Sequence, residues 1–263
     1  MNISEFPLLP ERTVKPRQNG ITMVMDKGIG LRQTEDLILS VAQSTDFVKL
    51  AFGTALITNN LKEKIQVLKE NNIRIFLGGT LFEAFIVRDM FDAYRKYVEK
   101  LGLDTVEVSD GSIAMEHDLK CEYIHKLSHD YTVLSEVGSK ESGILIAPGK
   151  WIEMMQKELQ AGSWKVIGEA RETGNVGIYR PTGKAHVSLV HKILTKVDLD
   201  KIIWEAPLKA QQVWFIHHFG SNVNLGNISP GDVIPLETLR LGLRDDTFFD
   251  FLPDELKRFQ PKY

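Results

Sequence analysis

The chain alternates between short, nearly unbroken apolar runs and longer stretches in which apolar positions recur every three or four residues. The short runs include Ile21–Met25, Phe47–Phe52, Ile73–Leu77 and Ile202–Trp204. Strands buried on both faces read this way, because the pleat sends successive side chains into two dry layers. The longer stretches carry the period of amphipathic helices. A strand over 20–28 leads to a helix over 33–44, where Leu37 and Val41 sit one turn apart. A strand over 46–53 precedes a helix over 61–71. A strand over 73–79 precedes the longest helix, 82–101, whose face is marked by Phe85, Met90, Tyr94 and Val98 and which Gly102 closes. The remaining strands, over 105–111, 132–138, 164–170, 202–206 and 223–227, precede helices over 116–129, 149–161, 183–195, 208–219 and 231–242.

Eight strand–helix units with no second run of strands predict one α/β domain, a (β/α)8 TIM barrel over residues 20–244 of a 263-residue chain. An open doubly wound sheet would need a glycine-rich phosphate loop after the first strand, and DKGIGL (Asp26–Leu31) is a poor version of one. Residues 1–19 hold Pro7, Pro10 and Pro16 without periodicity and read as an irregular arm. The tail, 245–263, carries Phe248, Phe249, Phe251 and Phe259. It is expected to clasp the barrel or a second subunit of a homo-oligomer.

Polar residues interrupt the apolar runs at one level. Glu107, Glu136, Glu169 and Glu205 each follow apolar strand residues and precede a loop, and Asp26, Lys49 and Asn224 hold similar places. A carboxylate on a buried strand costs several kcal/mol unless something pairs with it. Inward-pointing strand residues line a barrel, and active sites sit at the strand C-termini. The recurrence therefore predicts a polar ring at the barrel mouth, which Ser109, Lys140 and Arg171 extend by parity. Excess acids favour a shared cation, and an all-oxygen donor set favours Mg²⁺ or Mn²⁺ over zinc. A self-satisfied ion-pair network is the structural alternative. Two loops could bind phosphate at helix starts: Gly78, Gly79 and Thr80, and Gly226 with Asn227, followed by Ser229 and Pro230. Arg171 could add a bidentate clamp. Lys49 and Lys140 could instead form Schiff bases, as in barrel aldolases.

Composition narrows the partners. With 32 Lys+Arg against 35 Asp+Glu, the net charge of −3 gives no electrostatic case for nucleic acid or an anionic membrane. The lone Cys121 excludes an internal disulfide and a cysteine-built zinc site. With no signal-peptide profile and no spanning apolar run, the expectation is a soluble protein of a reducing, cytoplasmic compartment.

Segments in order along the chain, GITMVMDKG, DFVKLAFGT, GGTLFE, VEVSDGS, SEVGSK, EARETG, EAPLKAQQ, VNLGNI and LETLRLGLRDDT, give it a further likeness between Gly20 and Thr247. The chain resembles the phosphosulfolactate synthase family, whose pattern a plant heat-stress-associated protein shares without an evident catalytic role. The resemblance implies a Mg²⁺-dependent barrel that adds sulfite to phosphoenolpyruvate, giving 2-phospho-3-sulfolactate. It serves coenzyme M synthesis in archaea and sulfolactate production in some bacteria. It also implies that Lys140 is the general acid, matching the second lysine of EVGKK, while Ser139 replaces the first. By the same resemblance, Lys49, Lys27 and Arg171 would bind phosphate, carboxylate or sulfite. Glu107, Glu136 and Glu169 would hold the metal, and Glu205 would join them or orient a lysine. Asp26, Ser109, Asn224 and the two glycine loops complete the expected substrate contacts.

Overall fold

The computed structural model describes residues 3–138 and 146–261. Eight strands form one parallel sheet: β1 (Thr22–Asp26), β2 (Phe47–Leu50), β3 (Arg74–Leu77), β4 (Thr105–Val108), β5 (Thr132–Val137), β6 (Ser163–Gly168), β7 (Ile202–Glu205) and β8 (Leu225–Ile228). Hydrogen-bonded neighbours run β3-β2-β1-β8-β7-β6-β5-β4, and the two ends, β3 and β4, lie side by side to complete a barrel. Among the described residues, no backbone ladder joins that last pair. Arg74 and Asp104 pair at 3.4 Å across its lower end, and side chains described below close its upper end.

The helices are α1 (Leu31–Val41), α2 (Leu61–Glu70), α3 (Gly79–Ile86), α4 (Phe91–Lys100), α5 (His117–Ser128), α6 (Pro148–Ala161), α7 (Val187–Leu194), α8 (Lys209–Phe219) and α9 (Val233–Arg240). Each turns one stripe onto the sheet: α2 buries Leu61, Ile65 and Leu68 at helical spacing. The expected single helix over 82–101 is two. Asp89 adopts φ 55°, a left-handed conformation that ends one helix, and the next begins at Phe91. Periodicity carries through such a break because both pieces face the same core.

Strand parity sorts the side chains into two layers. Val24, Val48, Ile75, Val106, Val133, Val166 and Trp204 join the core between sheet and helices. Met23, Phe47, Phe76, Leu134, Ile167 and Ile203 fill the barrel itself. The lower rim is covered by the arm. Arg12 pairs with Glu237 at 2.8 Å and donates to the Ser221 and Gly20 carbonyls, while Arg17 pairs with Asp46 at 3.1 Å. Phe248 and Phe251 of the tail line a small cavity together with Phe6 and Leu8 of the arm and Leu241, which brings tail and arm together within the chain. Among the described residues, no helix is long and apolar enough to cross a membrane.

Candidate active site at the barrel mouth

Two residues beyond the barrel-filling layer, the same inward faces turn polar. Phe47 is followed by Lys49, Leu134 by Glu136, Ile167 by Glu169 and Ile203 by Glu205. The period of two makes this inevitable: a chain that points Ile203 inward must point Glu205 inward above it. All four polar residues are buried. Carboxylate oxygens of Glu136, Glu169 and Glu205 lie within 4.8 Å of one another, close enough to share one cation. They line a cleft of about 220 Å³ with Met25, Lys49, Phe52, Gly78, Thr80, Ser112, Arg171 and Asn227.

The Lys49 ammonium stands 3.0 Å from Glu107, 3.3 Å from Glu136 and 3.4 Å from Glu205. Burial alone would pull its pKa down, but the surrounding Glu107, Glu136, Glu205 and Glu169 outweigh this and hold it well above the ordinary lysine value. Burial pushes the Glu205 carboxyl up to about 7; Lys49 and an N–H bond from Ala170 (2.9 Å) oppose this, while Glu136 and Glu107 add to it. Negative charge is thus in excess among the described residues, where four carboxylates surround one ammonium. The loop after β6 holds the ring from above. The Arg171 N–H donates to Glu169, the Ile178 N–H to the Glu169 carbonyl (3.0 Å), and the Tyr179 hydroxyl to the Glu205 carbonyl (2.6 Å).

Several expected site residues lie elsewhere. Asp26 has the wrong parity: it faces outward, ion-pairs with Lys64 of α2, and accepts N–H bonds from Gly28 (2.8 Å) and Ile29 (3.0 Å). Those bonds occupy the donors that a phosphate loop would need. Lys27, next to it, is exposed and outside the cleft lining. Asn224 precedes β8 and sits at the lower rim, where its carbonyl accepts from the Ile21 N–H (3.1 Å) and its amide donates to Ile202 (3.0 Å). The residue that registers with Glu205 on β8 is Gly226. Gly226 is not among the residues that line the cleft, and a Cβ there would come within 2.4 Å of the Met23 terminal methyl, so the space beside it is filled by barrel packing.

Glu107 also departs from expectation. It is buried below the cation cluster, accepts from the Gly79 N–H at 2.7 Å and pairs with Lys49. Ser109 donates to Glu83 of α3, which also accepts from the Ser112 N–H (3.1 Å). Both therefore serve the seam between β3 and β4. Lys140, with Ser139, lies outside the described residues. Gly78, Thr80, Arg171 and Asn227 do reach the cleft, and the Asn227 Oδ1 is buried without a hydrogen-bond partner. Phe52, Ser112 and Tyr179 were missed by sequence reasoning: the expected strand over 46–53 gives way at Ala51 to a 3-10 segment in which Phe52 has φ 55°, and Ser112 and Tyr179 lie in loops whose path no strand or helix period fixes.

The family model for (2R)-phospho-3-sulfolactate synthase (ComA) matches residues 10–246. A phosphosulfolactate synthase from Bacillus subtilis (strain 168) is 41% identical over 94% of this chain and 100% of its own length. One from Methanothermobacter thermautotrophicus is 40% identical over 94% of this chain and 98% of its own. The Arabidopsis thaliana protein HEAT-STRESS-ASSOCIATED 32 is 20% identical, with 88% of each chain covered. Among solved structures, 3-hexulose-6-phosphate synthase from Salmonella typhimurium aligns with TM-score 0.54 at 12% identity, covering 85% of this chain and 100% of that one, a likeness of fold alone. With the glutamate-lined mouth and a match spanning nearly all of the barrel, the chain belongs to the phosphosulfolactate synthase family.

Proposed function

We propose that this chain adds sulfite to phosphoenolpyruvate, with Mg²⁺ held at the barrel mouth, and releases 2-phospho-3-sulfolactate. The observation that carries the reading is the convergence of Glu136, Glu169 and Glu205 on one point of the cleft. Their donor set is all oxygen, suited to a small hard cation. A cleft with this excess of negative charge would repel two anionic substrates unless a divalent ion sat in it. Bound there, Mg²⁺ supplies Lewis acidity to the substrate carboxylate as charge develops on it.

The chain's own groups do the rest. Lys49 and the Ala170 N–H orient Glu205, and the Arg171 N–H orients Glu169. The Arg171 side chain, Thr80 and Asn227 border the cleft where phosphate and carboxylate oxygens need donors. The sulfite sulfur forms a bond to the methylene carbon, and the π pair shifts to the adjacent carbon and its carboxylate. A proton delivered to that carbon completes the addition, and Lys140 is its proposed source. Lys49, kept protonated by its carboxylates, is no imine-forming amine at neutral pH. Borohydride is therefore expected to trap no adduct on it.

Lys140→Ala tests the assignment of the acid. Turnover is expected to fall by about 10²-fold or more with the melting temperature unchanged, the size of a lost general acid. Near-normal turnover would remove Lys140 from the reaction.

A further inference from the structure

Glu107 shares Lys49 with Glu136 and Glu205 but, unlike them, also accepts from the first residue of α3. It is fully buried on β4, at the one junction between neighbouring strands that lacks a backbone ladder among the described residues. One carboxylate oxygen accepts from the Gly79 N–H, the first residue of α3, at 2.7 Å. The other stands 3.0 Å from the Lys49 ammonium of β2. Its oxygens are not part of the Glu136–Glu169–Glu205 cluster. One side chain thus joins β4 to β2 and to the helix that follows β3. The backbones are close enough for this because Gly79 has no side chain: a Cβ there would lie 2.2 Å from the Ser109 Oγ and 2.7 Å from the Glu107 carboxylate.

We propose that Glu107 is a positioning residue, which fixes the Lys49 ammonium beside the cation cluster and the first turn of α3 at the cleft edge, and is not a ligand of the cation. The kinetic part rests on the proposed sulfite addition. Lysine has four flexible methylenes, and nothing in its own strand fixes where the ammonium points. Three carboxylates hold it here, and Glu107 is the nearest. Glu136 and Glu205 are also cluster members, and their oxygens would be drawn to a divalent ion bound there. Glu107 is then the partner that keeps Lys49 in place. Removing its charge frees the ammonium while the amide of a glutamine still accepts from Gly79.

Mn²⁺ titration followed by electron paramagnetic resonance separates the two roles without reference to turnover. Glu107→Gln is expected to weaken binding less than ~3-fold, and Glu136→Gln by ~10-fold or more, as direct ligation predicts. Equal losses would make Glu107 a ligand and overturn the proposal. Glu107→Asp, which keeps the charge, carries the same comparison should the glutamine variant fail to fold. In the sulfite assay, Glu107→Gln is expected to lower kcat by about 10–100-fold with KM for phosphoenolpyruvate changed less than ~3-fold. Because it acts through Lys49, adding it to Lys49→Met should slow that variant further by less than ~2-fold. Multiplicative losses would contradict it. A wild-type protein without sulfite-adding activity would sink the functional reading only, and the Mn²⁺ titration would still decide the place of Glu107.

Discussion

At the scale of single residues, the mouth is a set of buried charges that the fold keeps because each has several partners. Glu205 shows the balance. Burial raises its pKa to about 7, against an unfolded value near 4.5. Below about pH 7 the protonated form is therefore favoured in the folded protein, and ionising it costs stability as pH rises from about 4.5 to about 7. A cation needs the ionised form. Apparent Mn²⁺ affinity is thus expected to rise with pH up to about 7 and level off above it. Titrations in buffers from acidic to mildly alkaline pH check this, and a flat profile across neutrality would show that Glu205 is not a ligand. Lys49→Met removes the ammonium from three carboxylates at once and is expected to lower kcat by at least ~10²-fold, because the unpaired acids must then take up protons.

At the scale of elements, the strands carried most of the legible signal. Strand period sends Lys49, Glu136, Glu169 and Glu205 inward above an apolar layer, and each could be counted off from Phe47, Leu134, Ile167 and Ile203. The same rule should have turned Asp26 outward. Met23 fills the barrel, so Asp26, three residues on, belongs to the other face. Asn224 was misplaced because β8 starts at Leu225, two residues into the expected strand, so Asn224 lies below the level of Glu205, which Gly226 takes. What no period could show is the seam: that β3 meets β4 through side chains depends on strand order and close approach, both tertiary facts. Gly79→Ala tests the seam. Its Cβ would press on a buried serine and carboxylate with no room to yield, and an overpacking loss of about 1–3 kcal/mol is expected in urea denaturation. Gly226→Ala meets chiefly the flexible end of Met23 and should cost less. The reverse order would refute the seam.

At the scale of the whole molecule, the two ends of the barrel divide the work. The upper rim holds the acids and the cleft, and the lower rim is sealed by the arm and the tail. Arg12 ties that seal with a bidentate pair to Glu237 and carbonyl contacts at Ser221 and Gly20. Arg12→Ala is expected to cost about 3–5 kcal/mol, the loss that follows when one partner of a largely buried pair is removed. Turnover measured below the melting transition should stay near wild type, since the arm's contacts among the described residues lie at the lower rim. A large fall in kcat at unchanged stability would break this separation. Chemistry belongs to the other rim, and mass spectrometry of purified protein incubated with sulfite and phosphoenolpyruvate, with Mg²⁺ and after chelation, tests it. 2-Phospho-3-sulfolactate is expected in the first case and its loss in the second. An intact, folded protein that forms no carbon–sulfur bond with Mg²⁺ present would contradict it.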